Sequence, residues 1–168
     1  MYSRIKIFGH PIHPMLIAYP IAFYTSTLIG FIVYAATNDL FWLKLAIAVN
    51  LAGIVMAAVA ALPGFIDWLV GIPRQTEAKR DGMIHGLLNV TALGLFVASF
   101  ASYAGHWNGP NTGAGLGIVL SALGVLCTLG AGWFGWTLVQ TWHVGVQLER
   151  EQAAADPTLR DARTRKAS

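Results

Sequence analysis

The sequence predicts an all-α membrane protein, a four-transmembrane-helix up-down bundle, and three observations predict it. Of its 168 residues, 55% are hydrophobic and 11% are charged, against about 25% charged in a soluble domain. Four apolar runs are each long enough to cross the hydrocarbon core, which takes about 20 helical residues. The basic residues also sort by side of the membrane. Of the 11 Lys and Arg residues, only Lys44 falls on one side of the runs. Arg4, Lys6, Arg74, Lys79, Arg80, Arg150, Arg160, Arg163, Arg165 and Lys166 fall on the other, a positive-inside pattern that predicts both termini on the cytoplasmic side.

The first run, Met15 to Ala36, ends at Thr37-Asn38-Asp39. Arg4 and Lys6 precede it as they would a signal peptide, but it is too long for one and three more spans follow. The second, Phe41 to Leu62, is expected to stop at Pro63-Gly64, because proline removes a helical donor and crowds the preceding turn. An amphipathic loop from Phe65 to Asp81 follows, carrying Trp68, Arg74, Lys79 and Arg80. The third run extends from Met83 to Tyr103, and the fourth from Ala114 to Val139. Residues 1–147 thus form a transmembrane domain, and residues 148–168 a polar cytoplasmic tail. Tyr34 and Trp42 outside, with Trp68, Trp136 and Trp142 inside, suit interfacial belts. No internal repeat is evident in the sequence.

Several function classes are excluded. No ionisable residue lies near the middle of a span, where Asn50 is the one strongly polar side chain, so the buried charges of pumps and voltage sensors are missing. A net charge of +3 comes from residues that topology already explains, so nucleic acid is not a partner. Cys127 is the single cysteine, which rules out an internal disulfide, an iron–sulfur centre and a c-type haem link. There is no phosphate loop or nucleophile–base pair.

What remains is a histidine cluster. His10 and His13 open the first span in Gly9-His10-Pro11-Ile12-His13-Pro14, His85 begins the third, and His143 follows the fourth. Chain reversal brings all four to one face, while His106 faces outward. Proline is tolerated in a first helical turn and restricts its neighbour, so Pro11 and Pro14 fix where the imidazoles emerge. Asn89 stands one turn above His85. Asp67 points to the same end and is suited either to orienting an imidazole or to capping a helix in the loop. Met15, Met56 and Met83 add thioethers in that half of the bundle. Small residues (Gly113, Gly117, Ser121, Gly124, Gly130, Gly132 and Gly135) give the fourth helix a slim face for close packing or for a flat macrocycle.

The opening Gly9-His10-Pro11-x-His13-Pro14-Met15-Leu16 with Pro20 resembles that of a bacterial membrane family known as domain of unknown function 2231. The resemblance continues through Pro63-Gly64-x-x-Asp67, His85-x-x-x-Asn89, Gly135-x-x-Leu138-Val139, His143 and Val144-Gly145-Val146. Many members carry a further histidine where this chain has Ala18, and a glycine beside His143 is missing. Members occur fused to Rieske or cytochrome domains, so the resemblance implies membrane electron transfer, with haem b as cofactor.

On that basis His13 and His85, from diagonal helices, are the expected axial ligands. Arg74, Lys79 and Arg80 are placed to meet the propionates. His10 and His143 become hydrogen-bonding groups or ligands of a second haem. The protein would be an electron-transfer component and not a self-contained enzyme. Its expected partners are the bilayer, a quinol or another redox subunit, and, in a homo-oligomer, a second copy. Two alternatives stay open: copper or zinc held by His10, His13, His85 and His143, or a cofactor-free assembly subunit.

Overall fold

In the computed structural model, which describes residues 5–109 and 112–146, four long helices carry the four apolar runs. A short antiparallel ribbon, β1 (Lys6–Ile7) with β2 (His10–Pro11), leads into α1 (Ile12–Leu16) and α2 (Ala18–Thr37). Pro20 cannot donate to the Leu16 carbonyl, and the helix slackens there: Ile17 bridges α1 and α2 with helical angles. Asn38 ends α2 in the left-handed region (φ 53°), which a short polar side chain tolerates. Asp39 then caps α3 (Leu40–Ile66) by accepting from the Phe41 N–H at 2.9 Å. Thr76 caps α4 (Glu77–Tyr103) in the same way through the Lys79 N–H. α5 (Gly115–Gln140) completes the bundle.

The second span does not stop at Pro63. α3 runs through it to Ile66 and passes into a π-turn, Asp67–Gly71, with the Asp67 N–H reaching the Pro63 and Gly64 carbonyls. The expected long loop shrinks accordingly, since α4 begins at Glu77. Lys79 explains why this corner stays closed. Its ammonium caps the carbonyls of Trp68 and Leu69 and lies over the Trp68 ring, supplying donors to the end of the π-turn.

α2 pairs with α3 and α4 with α5 as two hairpins, and the hairpins join through α2 on α5 and α3 on α4. Within this arrangement lies a repeat the sequence did not disclose. A Cβ on Gly53 would strike Tyr24, and one on Gly124 would strike Phe96. A Cβ on Gly64 would strike His13, and one on Gly135 would approach His85. The second member of each comparison stands 71 or 72 positions after the first.

The equivalent residues also meet one another across the bundle axis. Tyr24 and Phe96 stack with ring centroids 3.7 Å apart, and Phe31 meets Tyr103 at 4.6 Å. Between these two aromatic layers lies a ring of small polar side chains, one per helix: Thr27, Asn50, Ser99 and Ser121, all fully buried. Contact of a residue with its own counterpart is the signature of a two-fold axis. The hairpins run in the same direction, so the axis lies along the bundle. The outward faces are apolar: Leu126, Leu129, Trp133 and Trp136 are among the exposed side chains of α5, as expected of surfaces that meet lipid.

Candidate cofactor site at the histidine end

His13 lies on α1 and leans on α3. Its Nδ1 is 2.8 Å from the Ala60 carbonyl oxygen. A carbonyl can only accept, so Nδ1 carries the proton and Nε2 presents a lone pair. His85, on α4, repeats the arrangement against α5, its Nδ1 donating to the Ala131 carbonyl at 2.7 Å. The two bonds link residues 47 and 46 positions apart, as the hairpin repeat requires. Each ring packs in a notch that a glycine leaves open. A Cβ on Gly64 would stand 2.7 Å from the His13 Nδ1, and one on Gly135 would stand 3.1 Å from the His85 Cε1.

The two imidazoles meet across the bundle in a T-shaped contact, their centroids 6.1 Å apart and their planes at 90°. A bond from metal to imidazole nitrogen is about 2.0–2.1 Å, so two imidazoles on opposite sides of one ion have centroids roughly 6 Å apart. Asn89 touches only one of the pair. Its amide nitrogen donates to the His85 carbonyl at 2.9 Å and lies 3.2 Å from the His85 Nε2.

The other residues singled out in the sequence sit around this pair. His10 is exposed and turns its Nδ1 back to the Phe8 carbonyl at 3.0 Å. His143 is half-buried in the turn after α5, with a positive φ of 52°. Asp67, buried, accepts from the Ile5 N–H and ties the N-terminal ribbon to the end of α3. Asp81 accepts from the Trp142 indole at 2.9 Å and ties α4 to the turn after α5. Arg74 is exposed in the connection between α3 and α4. Arg80 is also largely exposed and pairs with Glu77 at 2.7 Å. Met15 and Met83 are exposed, and Met56 is half-buried. Among the described residues, no three His, Cys, Asp or Glu side chains converge as metal donors.

Sequence reasoning missed the two carbonyl partners and the role of the two glycines. The available signal was a glycine at matching depth on the antiparallel neighbour of each histidine-bearing run.

Fold and site together define a class: a four-span helical membrane protein with one histidine pair at one end of its bundle. Within that class the affiliation is specific. The profile of a family described as predicted membrane protein (DUF2231) matches residues 9–148, and the chain belongs to that family. No curated protein and no solved structure matches it.

Proposed function

We propose that this protein is a membrane electron carrier resembling a b-type cytochrome, with haem b held between His13 and His85 near the cytoplasmic face of a bacterial inner membrane. The observation that carries the reading is the pair itself. Two imidazoles from diagonal helices, each with Nδ1–H committed to a backbone carbonyl, meet with centroids 6.1 Å apart. That hydrogen bond fixes the ring orientation and strengthens Nε2 as a donor, as metal-bound histidines commonly require.

The number of donors supports haem over zinc. Zinc sites take three or four protein ligands, and no such group converges among the described residues. Haem brings its own in-plane nitrogens and asks the protein only for axial ligands, so the donor set fits it. Haem bound there would supply a one-electron couple. Ala60 and Ala131 orient the rings, and Gly64 and Gly135 admit them. The side chains of Arg74 and Arg80, both exposed, offer guanidinium groups for acidic substituents. A quinol or a neighbouring redox subunit is the exchange partner on this reading. Two-coordinate copper is the second reading, because it too needs only two imidazoles on opposite sides of one ion.

Absorbance of the protein purified in detergent tests these readings. A low-spin haem spectrum that His13→Ala and His85→Ala each abolish, and His106→Ala leaves intact, is the expected result. A protein without haem absorbance but with stoichiometric copper would favour the second reading. A preparation with neither would overturn both and leave the cofactor-free assembly subunit.

A further inference from the structure

A strained point of the backbone lies outside the histidine pair, in the ribbon that leads to α1. β1 and β2 are joined by Phe8 and Gly9, at φ 48° and 84°, the two positive values of a type I′ turn. Glycine, asparagine and aspartate take the first of these positions readily, and a phenylalanine rarely does. Phe8 is 97% exposed and Ile7 beside it 55%, so the described residues leave the ring uncovered. The turn is nonetheless tied down. The His10 Nδ1–H donates to the Phe8 carbonyl at 3.0 Å and the Ile12 N–H to the Ile5 carbonyl at 3.2 Å. The Ile5 N–H in turn donates to buried Asp67 at 3.3 Å. The ribbon is a braced arm with an aromatic ring at its tip.

Depth says what covers that ring. The 26 residues from Ile12 to Thr37 rise about 39 Å, against about 30 Å for the hydrocarbon core and about 40–45 Å with the headgroups. Ile12 therefore stands at or just beyond the edge of the core, and the ribbon begins there. Its tether Asp67 is at the same level, beside Phe65, Ile66, Leu69 and Val70, all 40–59% exposed; the apolar surface of the bundle extends that far. We infer that Phe8 inserts into the interfacial layer of the bilayer, and that the ribbon is a lipid anchor for the start of α1, which carries His13. Its partner is the boundary between headgroups and acyl chains, where phenylalanine side chains sink about 5–10 Å from segments lying on a membrane. Transfer of the ring out of water offsets the strain of the turn. His10 acts here through the Phe8 carbonyl, holding the tip in shape.

The experiment is amide hydrogen exchange of the full chain in vesicles of phosphatidylcholine and phosphatidylglycerol. It follows the peptide of residues 6–16 by mass spectrometry, with rates corrected for sequence. Phe8→Asn is the informative variant, because asparagine suits the turn better than phenylalanine. If the ring is idle, Phe8→Asn protects the ribbon better than wild type. If the ring is inserted, Phe8→Asn lowers protection about tenfold, equivalent to ~1.4 kcal/mol and within what burial of a phenylalanine side chain supplies. Phe8→Trp should then keep wild-type protection, since the interface accepts either ring. Equal or greater protection in Phe8→Asn would overturn the anchor. So would a loss in Phe8→Trp as large as that in Phe8→Asn, which would mean a contact shaped to one side chain. Protection of the wild type that falls as the protein is diluted with lipid would overturn it too, making a second copy of the chain the occupant. None of these outcomes depends on a bound cofactor.

Discussion

The seats of the two histidines differ in tightness, which gives a prediction that can be worked from distances. An added Cβ at Gly64 would lie 2.7, 2.8 and 3.1 Å from three His13 ring atoms, against 3.1 and 3.3 Å from two His85 ring atoms at Gly135. The His13 ring cannot turn aside cheaply, because its Nδ1 is held by the Ala60 carbonyl at 2.8 Å. In Gly64→Ala the ring must move by several tenths of an ångström. That movement carries an overpacking cost of about 1–3 kcal/mol and the loss of a hydrogen bond worth about 0.5–1.5 kcal/mol. Alanine returns about 1 kcal/mol of helix propensity, so the net loss is about 0.5–3.5 kcal/mol. Gly135→Ala asks for a smaller shift and keeps its hydrogen bond, so the propensity gain should nearly cancel its cost. Thermal unfolding of both variants in the same detergent, followed by circular dichroism, should show Gly64→Ala melting below wild type and Gly135→Ala close to it. Gly64→Ala melting at or above Gly135→Ala would refute the notch argument.

Two further outcomes are expected. A reporter fused after Ser168 should be active in its cytoplasm-dependent form, because ten basic residues flank the histidine end and Lys44 alone the other; activity of a periplasm-dependent reporter there would reverse the orientation. In the buried polar ring, Asn50 donates to the Phe96 carbonyl while its own side-chain oxygen has no hydrogen-bond partner among the described residues. Asn50→Leu should therefore be nearly neutral, within about 1–2 kcal/mol of wild type. Asn50→Asp should be destabilised by several kcal/mol, because a lone carboxylate would then be buried; equal melting temperatures for the two variants would contradict this reading.

The sequence made the bundle and the meeting of His13 with His85 legible for one reason: span length fixes depth. Four runs of membrane length, reversing at short turns, return the chain to the same surface, whatever packs against what. The extent of α3 was not legible, because Pro63 reads as a stop. In the structure, α3 continues through Pro63 into the π-turn, whose end the Lys79 ammonium caps. The repeat was hidden for a different reason. The positions that obey it face the axis, and many of them match in kind without being identical: Tyr24 with Phe96, Phe31 with Tyr103, Asn50 with Ser121. Between them stand lipid-facing residues, where any apolar side chain serves and no periodic likeness builds up.

The axis also explains why the candidate site lies at one end only. At several depths the two hairpins present the same kind of residue to each other. Where those residues are aromatic, the rings touch and the axis closes, as at Tyr24–Phe96 and Phe31–Tyr103. Beyond the second of these layers, the hydroxyls of Tyr34 and Tyr103 bind the carbonyls of Thr112 and Gly113 and hold the connection before α5 across that end. Among the described residues, the repeat brings two imidazoles together at His13 and His85, with ring centroids 6.1 Å apart. Each hairpin supplies one histidine together with the carbonyl and the glycine that seat it. Neither hairpin holds the pair alone, so packing the hairpins together and forming the site are one event.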